Sequence, residues 1–186
     1  MPSRTELLRL LTEYLPKDPD EQRYRLDMLD LAAAAHDPFD RYDYTPGHFT
    51  ASGFVLHPDG NSVLLIHHAK IERWLQPGGH IDPTDADPMA AAVREIGEET
   101  GVAAVAAVSD SIVDVDIHVF PERSDQPEHR HFDVRFAFVA RDAVLTANHE
   151  VHDARWVSLR EVAALNPDRS VLRPIGKLLG DLSSTQ

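Results

Sequence analysis

Glu95, Glu98 and Glu99 are three carboxylates spaced at i, i+3 and i+4. On a helix this spacing puts all three on one side of a single turn. Like charges that close destabilise a helix by a few tenths of a kcal/mol per pair, roughly. The trio also sits toward the C-terminal end of its segment, where the helix dipole disfavours anions. A hard divalent cation relieves such an arrangement. Mg²⁺ and Mn²⁺ prefer carboxylate oxygens and keep room for water and phosphate ligands. Arg94, four residues before Glu98, is placed to orient one carboxylate through forked hydrogen bonds. A bare E-x-x-E-E, however, is more often a solvated acidic face.

The element that must carry this trio reads as a helix over 88–100. Asp87 followed by Pro88 is a helix start, with a capping carboxylate and a proline in the first helical position. Met89, Ala92, Val93 and Ile96 fall at helical spacing and form the expected packing face. Gly101 ends the helix. A loop containing Pro77-Gly78-Gly79 precedes it. Before that, 49–56 and 62–67 are β-rich segments joined by the turn cluster Pro58-Asp59-Gly60-Asn61, which predicts a hairpin. Strand-like segments recur at 111–120, 131–140 and 154–158, and short helices are expected at 159–165 and 171–181.

Residues 3–15 and 19–36 read as two amphipathic helices. The first has Leu7, Leu8, Leu11 and Tyr14 at helical spacing, and the second has Tyr24, Met28, Leu31 and Ala32. The chain therefore divides into a helical extension over 1–46 and a main domain over 47–186. The fold class is α+β, an α/β/α sandwich with a mixed sheet.

Composition narrows the function classes. The chain has 186 residues, 42% of them hydrophobic and 26% charged, which suits one soluble domain with a small extension. A formal net charge of −13 with no Lys/Arg run argues against a nucleic-acid partner. There is no apolar run of membrane-spanning length and no signal-peptide pattern, so no membrane partner and a cytoplasmic location are expected. The absence of cysteine excludes disulfides, thiolate metal sites and cysteine nucleophiles.

The chain has eleven histidines, a high number, and two clusters of them stand near the expected cleft. One group is His67-His68-Ala69-Lys70, followed by Trp74-Leu75-Gln76-Pro77-Gly78-Gly79-His80. The other is His129-Arg130-His131-Phe132-Asp133-Val134-Arg135. Alternate strand residues share a face, so His129, His131, Asp133 and Arg135 can line one wall, which His48 and His118 are placed to extend. The candidate substrate-binding residues are His48, His68, Lys70, Gln76, His80, His131, Asp133 and Arg135. A zinc site would need three or four of these ligands to converge, which sequence cannot show.

Arg94-Glu95-Ile96-Gly97-Glu98-Glu99-Thr100-Gly101-Val102 resembles the second half of the Nudix box, G-x5-E-x7-R-E-U-x-E-E-x-G-U, with every fixed position present. Gly78-Gly79 sits where the family's loop glycine belongs, and the resemblance covers about residues 48 to 165. The span from Gly79 to Arg94 is one residue longer than the standard box and lacks its first Glu. Asp85 takes that place counted forward from Gly79. Counted back from Arg94 the place falls on Ala86, between Asp85 and Asp87.

The resemblance implies a metal-dependent hydrolase of phosphoanhydride bonds, acting on a nucleoside diphosphate derivative or a nucleoside triphosphate. Glu95, Glu98, Glu99 and the Gly79 carbonyl would hold Mg²⁺ or Mn²⁺. Arg94, Glu95 and Glu98 would be catalytic, with the base either a box glutamate or Glu150. The alternative is a non-catalytic, ligand-binding or regulatory Nudix domain. Relatives often pair, which leaves a homodimer open.

Overall fold

The computed structural model describes residues 1–69, 71–123, 126–146 and 151–183. Two helices open the chain, α1 (Arg4–Glu13) and α2 (Pro19–Ala34). Ser3 caps α1 by accepting from the Glu6 N–H. Asp18 caps α2 by accepting from the Asp20 N–H, with Pro19 at the first helical position. Their inner faces bury Leu7, Leu11, Met28 and Ala32 completely.

The strands follow. The backbone of the sheet is a long parallel pair, β1 (Gly47–Leu56) and β7 (His129–Ala140), in register from Gly47↔Arg130 to Leu56↔Val139. On its other edge β1 meets β2 (Ser62–His68) at Leu56↔Val63 and β4 (Gly78–His80) over Thr50–Ser52. The expected hairpin therefore closes at its turn and splays beyond it, because β4 takes the place beside β1 that β2 vacates. β2 pairs with β3 (Arg73–Leu75) and β8 (Val151–Ser158). β7 pairs on its far edge with β5 (Val105–Ala107) and β6 (Asp114–Phe120). The three-residue strands β3, β4 and β5 are too short to show an alternation in sequence. The catalytic-helix candidate is α3 (Pro88–Thr100), and α4 (Val162–Leu165) and α5 (Arg169–Ser183) close the chain. Among the described residues no helix is long and apolar enough to cross a membrane.

Alternation along β1 and β7 assigns the layers. Phe49, Ala51, Val55, Phe132, Val134, Phe136 and Phe138 share one core with Leu7, Leu11 and Met28 from α1 and α2, and with Ala92 and Ile96 from α3. Phe54, Leu56 and Ala137 join a second core with Val162 on α4 and Val171, Ile175 and Leu178 on α5. Each fully buried Phe, Leu or Met contributes about 1.5–3 kcal/mol of burial free energy. On the second face the composition changes along the strands. Phe54 beside Ala137 gives way to Ser52 beside Arg135, then Thr50 beside Asp133, then His48 beside His131. That face carries a polar lane where an apolar layer would otherwise continue.

Candidate functional site

The site begins on α3. Asp87 caps it by accepting from the Ala90 N–H at 2.8 Å, and Gly101 ends it in the left-handed region at φ 70°. The packing face differs from the sequence expectation. Ala92 and Ile96 are fully buried and Met89 packs partly, but Val93 is 41% exposed. The helix is turned so that Glu95 and Glu99 lie on its buried side. Burying carboxylates is costly unless they are hydrogen-bonded, and the loop before the helix supplies partners. Glu99 Oε2 accepts from the Gly78 N–H at 2.9 Å. At Gly79 a Cβ would fall 2.6 Å from Glu95 Oε1, so only glycine allows this approach without displacing the carboxylate.

Arg94 ties the trio to the loop. Its Nε and Nη2 donate to the two oxygens of Asp85 at 3.0 and 2.9 Å, a forked pair. Nη1 donates to Glu95 Oε1 at 2.9 Å and Glu98 Oε2 at 3.1 Å, and Nη2 also reaches the His80 carbonyl at 2.8 Å. Hydrogen bonding to Asp85, against a smaller effect of burial, raises the Arg94 pKa further above its usual range. Asp85 is itself buried and accepts from the Asp82 N–H at 2.8 Å. The question left open by the extra residue has a geometric answer: Asp85 anchors Arg94, whereas Asp87 is a helix cap. Glu95, Glu98, Glu99 and the Gly79 carbonyl carry only oxygen donors, the chemistry that suits a hard cation such as Mg²⁺ or Mn²⁺.

The polar lane brings several predicted residues together. Asp133 accepts from Thr50 Oγ1 at 3.2 Å and from Ser52 Oγ at 2.7 Å. Gln76 Nε2 donates to Ser52 Oγ at 3.3 Å, while its buried Oε1 has no hydrogen-bond partner among the described residues. Thr50 and Ser52 are not among the candidate residues of the sequence, and their alternation along β1 is what places both on the Asp133 side. Arg135 was expected on a ligand-facing wall, but it is 2% exposed, with Asp133 at 2.7 Å, Asp116 at 3.2 Å and Asp114 at 3.3 Å. Burial acts to raise Asp116, yet the Arg135 charge beside it wins and holds it at about 2. Asp114 is likewise held below the usual carboxylate range, with burial opposed by hydrogen bonding to Arg173.

At the end of the lane the imidazoles cluster. His48 lies with ring centroids 4.8 Å from His131, 5.1 Å from His80 and 5.3 Å from His129. His118 approaches His131 at 5.6 Å, and Phe120 stacks on His131 at 4.1 Å. Burial lowers the pKa of both His48 and His131, and the neighbouring imidazoles lower His131 further. His68 is placed apart, at the end of β2 opposite Arg73 and Val151. Trp74 is half-buried, packed against the second core with the Arg155 guanidinium 4.7 Å over its ring. Lys70 and Glu150 lie outside the described residues.

A family model of the NUDIX domain matches residues 47–179. The chain belongs to the NUDIX family. The NUDIX domain is also similar to solved structures, which bear out the α+β class. A C. elegans Ap4A hydrolase binary complex matches with a TM-score of 0.56 at 18% identity, over 73% of this chain and 98% of that one. The NUDIX domain of Shewanella oneidensis NrtR, complexed with ADP ribose, matches with a TM-score of 0.55 at 17% identity, over 94% of this chain and 97% of that one. In sequence, 53 residues are 43% identical to an 8-oxo-(d)GTP phosphatase from Mycolicibacterium smegmatis. That stretch is 28% of this NUDIX chain and 16% of the relative.

Proposed function

We propose that this NUDIX protein hydrolyses a phosphoanhydride bond in a nucleoside diphosphate derivative or a nucleoside triphosphate, with Mg²⁺ or Mn²⁺. The observation that carries the reading is the approach of Glu95 and Glu99 to the Gly78–Gly79 loop, with Arg94 bonded to both Glu95 and Glu98. A cation held by these carboxylates and the Gly79 carbonyl would neutralise phosphate oxygens and acidify a water molecule. In phosphoryl transfer, positioning and charge stabilisation dominate, and the chain's own groups supply the positioning. Arg94 holds two of the carboxylates and Asp85 in one frame. Glu99 fixes the loop backbone through Gly78. Glu98, with 55% of its side chain exposed, is the member of the trio that faces water, and we assign it proton acceptance from the nucleophile. Glu150 is the other candidate base. The substrate's nucleoside end is assigned to the end of the lane beside half-buried His80, with Gln76 Oε1 as a further acceptor and with His48, His131 and Asp133 as the buried wall behind it.

The test is incubation of the full chain with Mg²⁺ or Mn²⁺ and a panel of nucleotide sugars, dinucleoside polyphosphates and triphosphates, with products identified by mass. The expected products are two monophosphates from a nucleotide sugar, a monophosphate with pyrophosphate from a triphosphate, and two nucleotides that share the phosphates of a dinucleoside polyphosphate. Glu98→Gln is expected to lower kcat by about 10²–10³-fold, the worth of several kcal/mol of charge stabilisation. Near-wild-type turnover by that variant would overturn the assignment. Tight nucleotide binding without turnover by the wild type would favour the ligand-binding alternative.

A further inference from the structure

The imidazole cluster has features that substrate contact does not require. His48, His80 and His131 each offer a ring nitrogen or nitrogens such that the three ligand atoms lie within 4.8 Å of one another. They come from three adjacent strands, β1, β4 and β7, so the sheet holds them without relying on a loop. We propose that His48, His80 and His131 form a second metal site, for a zinc-like transition-metal ion, separate from the carboxylate cluster on α3.

The tautomers favour this use. His48 Nδ1 lies 3.1 Å from the Asp43 carbonyl, which can only accept, so Nδ1 carries the proton. His48 Nε2 is then a bare lone pair. It is buried, and it has no hydrogen-bond partner among the described residues. A buried acceptor without a donor costs about 1–3 kcal/mol, and a bound cation removes that cost. A carbonyl on the distal nitrogen is also the usual way in which a ligating histidine is oriented. His129 repeats the pattern: its Nδ1 donates to the Pro127 carbonyl at 2.8 Å, so its Nε2 accepts from His131 Nε2 at 3.1 Å, which leaves Nδ1 as the lone-pair nitrogen of His131. His129 thus stands beside the triad as an orienting neighbour.

Donor chemistry sets the ion. The triad is all nitrogen, which suits zinc, copper, nickel or iron, whereas magnesium and manganese favour the oxygen cluster. Zinc–imidazole bonds of about 2.0–2.1 Å require each ring to move inward by less than about 1 Å. Three protein ligands leave a coordination position for water or a phosphate oxygen. His80 follows Gly79 directly, and its carbonyl accepts from Arg94, so an ion here would also stiffen the loop that meets Glu95.

The test uses the full-length protein, stripped with a chelator and titrated with Zn²⁺ alone by calorimetry, and with Co²⁺ as a spectroscopic substitute. One Zn²⁺ equivalent is expected to remain in Glu95→Gln and Glu98→Gln. It is expected to weaken more than about 100-fold in His48→Gln and His131→Gln, beyond the usual effect of losing an orienting group. Co²⁺ is expected to give the strong visible bands of a low-coordinate nitrogen site, absent in the histidine variants. His80→Gln, at a half-buried position, carries the same test if a variant at a buried site does not fold. Unchanged Zn²⁺ affinity in the histidine variants would overturn the proposal, as would Zn²⁺ loss confined to the glutamate variants. Either result leaves the hydrolase reading standing, because that reading is tested by turnover with Mg²⁺ or Mn²⁺.

Discussion

At Gly79 one methyl group would be enough to disturb the site. An alanine Cβ there would sit 2.6 Å from Glu95 Oε1, the far end of a side chain that can swing away. Gly79→Ala is therefore expected to leave the melting temperature nearly unchanged while lowering kcat by about tenfold or more, a shift of at least about 1.4 kcal/mol in the barrier. Parallel calorimetry and turnover measurements check this, and a large stability loss with normal kcat would contradict it. The buried imidazoles make a separate prediction. His48 and His131 have folded-state pKa values below the ordinary 6.5, first because burial disfavours the charged ring. The unfolded chain then takes up protons that the folded chain refuses. Stability from this source is complete above 6.5 and declines as pH falls below it. Melting temperatures at about pH 7.5 and about pH 5.5 should show the decline, and His48→Gln should reduce it.

The strands β6 and β7 are joined to α5 by charge as well as by apolar packing. Asp114 accepts from Arg173 at 2.7 Å and from Lys177 at 2.8 Å, and it faces Arg135 at 3.3 Å. Arg135 also donates to the Ser170 carbonyl at 2.6 Å, which fixes the start of α5 over the sheet. Removing one partner from a buried ionic group costs more than the group contributes when complete. Arg135→Met leaves Asp114, Asp116 and Asp133 facing each other with less compensation, and a loss of about 3–5 kcal/mol in urea unfolding is expected. The exposed pair of Arg73 and Asp168, at 3.6 Å, should be worth under about 1 kcal/mol when Arg73 is replaced by Ala. A folded, stable Arg135→Met variant with only a raised KM would return Arg135 to the substrate-binding role that its position in sequence suggests.

For the molecule as a whole, the question is whether residues 1–46 are an accessory to the NUDIX domain or part of its core. Leu7, Leu11 and Met28 are fully buried in the same core as Phe49 and Phe132. Buried Glu21 on α2 is bonded to Tyr14 and Lys177, linking the first helices to the last. Each lost large apolar contact is worth about 1.5–3 kcal/mol, against a total stability of about 5–15 kcal/mol for a typical domain. A fragment of residues 47–186 is expected to be unfolded or molten by near-UV circular dichroism and amide exchange. A cooperative melt from that fragment would show that the helices are dispensable.

The sequence determined the parts whose geometry is local. Glu95, Glu98 and Glu99 share a helical turn because 3.6 residues make a turn, and Asp87-Pro88 and Gly101 fix its ends for reasons contained within a few residues. His131, Asp133 and Arg135 share a face because strands alternate. Tertiary structure decided which surfaces those faces meet. The parallel pairing of β1 with β7 places His48 beside His131, although most of the domain separates them in the chain. The rotation of α3 that exposes Val93 and buries Glu99 follows from the Gly78 N–H waiting on β4. The choice of Asp85 over Asp87 follows from where Arg94 points. The burial of Arg135 follows from Asp114 and Asp116 on a strand that pairing brings alongside. Local periodicity fixes direction from the backbone, but contact depends on the free energy of the whole packed sheet, which no short window contains.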